Sequence, residues 1–187
     1  MMSDTKEFWD EMWSRMDDTG SGSNKLLLAE VNGIPPGRAL EIGCGTGGNA
    51  LWLAKQGWQV TALDFSTVAV EKARKSAASN GVDVGFVVGD ASTYQPKGQF
   101  DLIATFYIQL FPELRRQMLT WAVKALAPGG TLLFVSHDRS SPPSGWSEGD
   151  LLSLTTPEEI VAELPGLQVE HASQVCGATV VKAFRVA

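Results

Sequence analysis

Ala39-Leu40-Glu41-Ile42 followed by Gly43-Cys44-Gly45-Thr46-Gly47 is a short, mainly apolar strand running into a glycine turn. Three glycines at alternate positions suit a place where a strand must bend sharply into a helix while a ligand lies against bare backbone. Side chains there would block the ligand. A helix is expected from about Asn49, with Ala50, Leu53 and Ala54 on one face, stopping at Gly57. Gly43, Gly45 and Gly48 also satisfy a G-x-G-x-x-G spacing, so the turn alone leaves the ligand open.

Downstream, short β-branched runs alternate with helical patterns, the arrangement of parallel strands joined by crossover helices. A second strand, Val60 to Leu63, ends at Asp64, and Ser66 caps a helix with Val70, Ala73 and Ala77 on its face, closed by Asn80-Gly81. A third strand covers Val84 to Gly89 and a fourth Phe100 to Phe106. Pro112 then opens a helix whose buried stripe holds Met118, Trp121, Ala122 and Ala125, with Pro128-Gly129-Gly130 as its stop and Thr131 to His137 as the fifth strand. After a Ser/Pro/Gly-rich loop from Asp138 to Gly149, Thr156 starts a short helix with Pro157 first and Glu159 completing a capping box. Leu167 to Val175 and Thr179 to Val186, joined around Gly177, pair as an antiparallel hairpin. The expected fold is α/β: a doubly wound, Rossmann-like seven-stranded sheet, mostly parallel, with a C-terminal antiparallel hairpin. Residues 1–24 form an aromatic segment (Phe8, Trp9, Trp13) and a Gly/Ser-containing linker, Asp17 to Asn24; residues 25–187 form a single domain.

At 187 residues the chain can bury a core around one sheet without disulfides or a metal. No apolar stretch approaches the roughly 20 residues needed to span a bilayer, and Met1 to Asp10 resembles neither a signal nor a transit peptide, so a cytoplasmic location is expected. Cys44 and Cys176 are far apart and suggest neither a disulfide framework nor a zinc site. Fifteen basic against 21 acidic residues give a net charge of −6, and no basic block is present to neutralise phosphates, which disfavours a nucleic-acid substrate.

The neighbours of the glycine turn narrow the ligand. Asp64 ends the second strand, where an open α/β sheet presents a carboxylate to the hydroxyls of an adenosine ribose, common to NAD and S-adenosylmethionine (SAM). The third strand ends in Gly89-Asp90-Ala91, placing a second carboxylate where it can accept a bond from the adenine amino group. Together with Leu126-Ala127-Pro128-Gly129-Gly130-Thr131-Leu132, these stretches resemble the class I SAM-dependent methyltransferases over about residues 37 to 137. The exits Thr105-Phe106-Tyr107-Ile108-Gln109-Leu110 and Ser136-His137-Asp138 are similar to those of the small tellurite-resistance-type methyltransferases; an Asn-Pro-Pro-Tyr sequence, which in the family marks amino-methylation of nucleic-acid bases, is lacking.

The resemblance implies that Gly43, Gly45 and Gly47 line the methionine part of SAM, with Glu41 near its amino group. It implies that Asp64 holds the ribose, Phe65 covers the adenine, and Asp90 with the Ala91 amide reads the adenine edge. Cys44, Ser66 and Phe106 complete the expected cofactor-binding set, S-adenosylhomocysteine being the product. A small-molecule acceptor needs mainly to be held in line with the methyl–sulfur bond. Phe106 or Tyr107 is expected to offer an aromatic wall to the sulfonium, and Tyr107 and His137 are the catalytic candidates, His137 by accepting a proton or placing the acceptor. Cys44 is expected as a small side chain rather than a nucleophile, and His171, inside a strand, as structural. The aromatic N-terminal segment and the loop holding Trp146 are each open as docked structure or active-site lid. An NAD(P)-dependent oxidoreductase shares the turn and Asp64 but gives no reason for Asp90; a non-catalytic SAM-binding sensor is the other alternative.

Overall fold

The structure, a computed structural model, describes residues 5–16 and 22–186. Its elements are α1 (Lys6–Arg15), α2 (Lys25–Val31), β1 (Arg38–Ile42), α3 (Gly48–Lys55), β2 (Gln59–Asp64), α4 (Thr67–Asn80), β3 (Gly85–Val88), β4 (Phe100–Phe106), α5 (Pro112–Ala125), β5 (Leu126–His137), α6 (Glu148–Leu151), α7 (Pro157–Ala162), β6 (Leu167–Val175) and β7 (Ala178–Arg185). The seven strands lie in the order β3-β2-β1-β4-β5-β7-β6. β1 to β5 run parallel, and β7 is antiparallel to both β5 and β6. The chain winds outward from β1 through β2 to β3, then returns to β4 on the other side of β1. This reversal opens a crevice at the carboxyl ends of the strands, where open α/β sheets bind ligands.

The strands alternate their apolar side chains between two cores. Leu40, Ile42, Ile103, Leu132 and Phe134 meet Met118, Leu119 and Ala122 of α5 and Ile160 of α7. On the other face, Ala39, Ala62, Leu102, Ala104 and Leu133 meet Leu27 and Val31 of α2 and Ala50 and Leu53 of α3. The hairpin turn at Cys176 and Gly177 has positive φ at both residues, 48° and 82°, as a two-residue type I′ turn requires.

Two features differ from the sequence expectation. α5 ends at Ala125, before Pro128, and β5 begins at Leu126, which pairs with Phe100 and is fully buried. Pro128-Gly129-Gly130 is therefore an irregular run inside a 12-residue strand, marked by a register shift after Phe100, rather than the stop of a helix. Gly130 is required there, since a Cβ would lie 2.8 Å from the Phe100 carbonyl oxygen. The Asp138–Gly149 loop also ends in helix α6, started by a reciprocal capping box between Ser147 and Asp150. Of the linker expected over Asp17 to Asn24, residues 17–21 lie outside the described residues; Asn24 is the N-cap of α2.

The capping box of α7 is present, with Thr156 accepting from Glu159 N–H and the Glu159 carboxylate accepting from Thr156 N–H. Thr156→Ala is expected to cost about 1 kcal/mol of stability, measured by urea denaturation. An unchanged midpoint would deny the cap any weight.

Candidate active site

β1 carries Glu41 to the mouth of the crevice and hands the chain to the glycine turn. Gly43 N–H and Cys44 N–H both donate to the Leu63 carbonyl, at 2.8 and 2.9 Å, so the turn is hooked onto β2. Gly43, Gly45 and Gly47 have φ of 74°, 52° and 87°, in the left-handed region that L side chains rarely adopt. A Cβ on Gly43 would come within 3.3 Å of Ile108, and one on Gly45 within 3.2 Å of the Trp13 ring. At Gly43 and Gly45 the turn is thus bare backbone, where an added side chain would be both strained and crowded.

Asp64, 8% exposed, closes the cradle from β2. Its carboxylate accepts from Gly45 N–H at 2.8 Å through Oδ2 and from Ser66 N–H at 2.9 Å through Oδ1. Burial pushes its pKa up, the backbone bonds from Ser66 and Gly45 working against that shift and the nearby charge of Asp10 adding to it. Each oxygen keeps further acceptor capacity. At the tip of β3, Asp90 is exposed and accepts from Ser92 N–H and Ser92 Oγ, both at 2.7 Å. The Ala91 carbonyl accepts from Trp121 Nε1 at 2.8 Å, tying this tip to α5.

Glu41 is 2% exposed and its Oε2 has no hydrogen-bond partner. Burial raises its pKa to about 8, against hydrogen bonds from the Asn49 side chain and Ala50 N–H that favour the charged form, with Asp64 repelling it. Cys44 is 7% exposed, and burial, with the charges of Glu41 and Asp64, holds its thiol well above the ordinary range. A thiol so held is a poor nucleophile.

These groups share one cavity of about 530 Å³. Glu41, Gly43, Cys44 and Gly45 form its wall from β1; Asp64 and Phe65 from β2; Asp90 and Ala91 from β3; Phe106 and Tyr107 from β4. Three of the expected residues lie elsewhere. Gly47 faces Leu51, Ala73 and Phe86, while Ser66 is fully buried and spends its hydroxyl as the cap of α4. His137 is not among the wall residues; its ring packs against Tyr107 and Trp146, at centroid distances of 4.7 and 5.1 Å. Burial lowers its pKa, which favours the neutral ring. Tyr107 sits at φ 56°, an uncommon conformation for a bulky residue and one that concentrates at functional sites. His171 pairs with Glu30 of α2 at 3.3 Å, and neither residue lines the cavity.

Several wall residues were not among the expected site residues: Met12, Asn24, Thr46, Asn49, Phe111 and Leu114. Met12 belongs to α1, which also contributes Trp9 and Trp13 and has no buried residue of its own. Polar contacts hold α1 against α4. Ser66 Oγ donates to Asp10 Oδ1 at 2.6 Å, Val68 N–H donates to the same oxygen, and Lys72 Nζ donates to the Trp13 and Met16 carbonyls. Lys72 thereby places a cation at the carbonyl end of α1, where the helix dipole favours one. Among the described residues, no group of three or more His, Cys, Asp or Glu is placed to hold a metal ion, and no helix is long and apolar enough to cross a membrane.

Residues 39–130, from the opening strand to the start of the fifth, match the family described as a methyltransferase domain. The chain is 37% identical over 123 residues to a probable thiol methyltransferase 2 of Arabidopsis thaliana, covering 62% of this chain and 54% of that protein. It is 34% identical over 138 residues to ribosomal RNA small subunit methyltransferase C of Alcanivorax borkumensis, covering 69% of this chain and 41% of that protein. The chain thus spans about half the length of these curated relatives. The solved structure of TehB from Haemophilus influenzae superposes with a TM-score of 0.76 at 14% identity, covering 96% of this chain and 66% of that one, a likeness of fold. Residues 39–130 thus match a methyltransferase domain, set in a chain with the Rossmann-like methyltransferase fold.

Proposed function

We propose that this protein transfers the methyl group of SAM to a small-molecule acceptor. One observation carries the reading: a buried carboxylate with an orphaned oxygen, Glu41 Oε2, stands beside a bare-backbone turn in the same cavity as Asp64 and Asp90. An unpartnered buried acceptor is costly, and a ligand ammonium group relieves that cost. In this reading Glu41 holds the amino group, Gly43 and Gly45 admit the ligand to the backbone, and Asp64 accepts from the ribose hydroxyls with its remaining lone pairs. Phe65 covers the adenine and Asp90 takes the adenine amino group.

Bound SAM supplies a methyl group already activated by a sulfonium leaving group, so the chain's own task is placement and exclusion of water. Phe106 and Tyr107 present aromatic faces that suit a cation. Met12, Ile108, Leu110, Phe111 and Leu114 bound the remainder of the cavity with uncharged side chains, which supports a small acceptor rather than a polyanion. The likeness to a thiol methyltransferase and the net charge of −6 support the same choice, while the likeness to a ribosomal RNA methyltransferase makes RNA the acceptor to test against. His137 acts through Tyr107, whose ring it packs, as a positioning residue.

Titration calorimetry with SAM and NADH tests the cofactor, and methyl transfer from labelled SAM to small thiols, small amines and ribosomal RNA tests the acceptor. The expected result is binding of SAM without NADH and label in a small-molecule product. Binding of NADH alone overturns the reading, and label in RNA alone overturns the acceptor class.

A further inference from the structure

Asp90 stands exposed at the tip of β3, on a turn fastened on either side of it. Before it, Gly89 N–H donates to the Asp64 carbonyl at 2.9 Å, which ties the tip to β2. After it, Trp121 of α5 donates its indole N–H to the Ala91 carbonyl at 2.8 Å. That carbonyl and the Ser92 N–H belong to a single planar peptide group, so the direction of the first sets the direction of the second. Ser92 N–H donates to Asp90 Oδ1 at 2.7 Å, and the Ser92 hydroxyl donates to the same oxygen, also at 2.7 Å. A continuous chain of bonds therefore runs from the indole through the Ala91–Ser92 peptide to the Asp90 carboxylate, and bonds in such a chain polarise one another. The indole also meets Tyr94 edge to face, at a centroid distance of 5.7 Å, and Tyr94 N–H donates to the Asp90 carbonyl at 2.9 Å. Trp121 itself does not line the cavity.

We propose that Trp121 is a positioning residue for purine recognition: by fixing the Ala91–Ser92 peptide it aims the Asp90 carboxylate, and so sets the preference of the cavity for a purine with an amino group over one with oxygen in its place. The assignment of that purine as the adenine of SAM rests on the function proposed above; the tether from Trp121 to Asp90 does not. An indole has a donor and no acceptor, so Trp121 can hold the Ala91 carbonyl but cannot pair with the Ser92 N–H and turn the peptide over. Both bonds from Ser92 end on Oδ1, which leaves Oδ2 to accept from a ligand amino group. An exposed carboxylate exchanges a bond with water for a bond with the ligand, and the exchange favours the ligand when the acceptor is already aimed. A purine with oxygen in place of the amino group sets an acceptor against this acceptor, so both lose water without gaining a bond. Because Trp121 acts through the β3 tip alone, its effect falls on the choice of base and not on the methionine end, which lies against the turn after β1.

Trp121→Phe keeps an aromatic ring and removes the donor. Titration calorimetry with S-adenosylhomocysteine and S-inosylhomocysteine reads the preference as a ratio of affinities, which a general loss of stability leaves alone. Thr156→Ala, weakened at the cap of α7 and outside the cavity, is the control. The wild type and Thr156→Ala are expected to favour the adenosyl compound by about tenfold to a hundredfold, and Trp121→Phe to lower that ratio about threefold to tenfold. In the ligand-free protein, hydrogen exchange at the Ser92 amide is expected to quicken about threefold to tenfold in Trp121→Phe. An unmoved ratio or an unchanged Ser92 exchange overturns the proposal. Should the variant not fold, the wild type decides: exchange of the Trp121 indole N–H is expected to slow more with the adenosyl compound than with the inosyl one, and equal slowing overturns the proposal. A wild type that binds neither compound sinks the cofactor assignment instead, and a quickened Ser92 exchange then still upholds the tether from Trp121 to Asp90.

Discussion

Glu41→Gln is expected to stabilise the ligand-free protein by roughly 2–4 kcal/mol at pH 9 and to weaken SAM binding by about tenfold to a hundredfold. The two signs share one cause. Burial lifts the Glu41 carboxyl from its ordinary 4.5 to about 8, so the folded protein holds a proton that the unfolded chain has released. For a group raised in this way, the associated stability is complete below about pH 4.5 and is lost as pH climbs to about 8. Glutamine does not titrate. The advantage of Glu41→Gln is therefore absent near pH 4.5, grows through the window and levels off above it. Urea denaturation at pH 5, 7 and 9 with calorimetry of SAM binding checks both halves. Equal stability of the two proteins at pH 9 would mean that Glu41 is not held against its charge, and unaltered SAM affinity would remove it from the ligand site.

What the chain displayed in advance, and what it concealed, follows from the range of the interactions. The strand-turn-helix around Gly43, the cap at Ser66, the box at Thr156 and Glu159 and the tight hairpin all depend on residues a few positions apart, and each was legible. Asp64 and Asp90 were readable as strand-end carboxylates because parallel strands joined by helices bring their carboxyl ends to one edge. Asn49 was not. Its partner, the Asn24 N–H, is 25 positions before it, and a single asparagine in a helix's first turn carries no periodic signal. α1 was legible as an aromatic segment, but its place on the cavity depends on Asp10 meeting Ser66, 56 positions away. His137 was assigned to the site from the end of its strand; its ring instead meets Trp146, on a loop whose course local rules do not fix. The start of β5 was misjudged because Pro128-Gly129-Gly130 is strong punctuation in isolation, whereas the burial of Leu126 beside Phe100 draws the strand back past it.

The largest loss of stability is expected away from the cavity, at Glu163. This residue caps the end of α7 and receives Arg115 of α5 through two bonds, Nε to Oε2 and Nη2 to Oε1, both 2.8 Å. The side chains are 5% and 12% exposed, so both charges are largely out of water. Glu163 has a second cation, Arg116, whose Nε lies 3.3 Å from Oε1 and whose side chain is 57% exposed. Arg115 has no second anion among the described residues, and its Nη1 already lacks a partner. The pair is therefore asymmetric. Glu163→Leu strands a buried guanidinium and should cost about 3–5 kcal/mol, which for a chain of this length lowers the melting temperature by roughly 8–15 °C. Arg115→Met leaves Glu163 with Arg116 and should cost about 1–2 kcal/mol, since a half-exposed partner is screened by water. Joining the two substitutions restores much of the loss, because replacing both members of a buried pair removes the stranded charge. Thermal unfolding of the three variants decides the matter. If Glu163→Leu proves no more harmful than Arg115→Met, the guanidinium is reaching water, and the joint between α5 and α7 is held by Met118 and Ile160 in the apolar core rather than by charge.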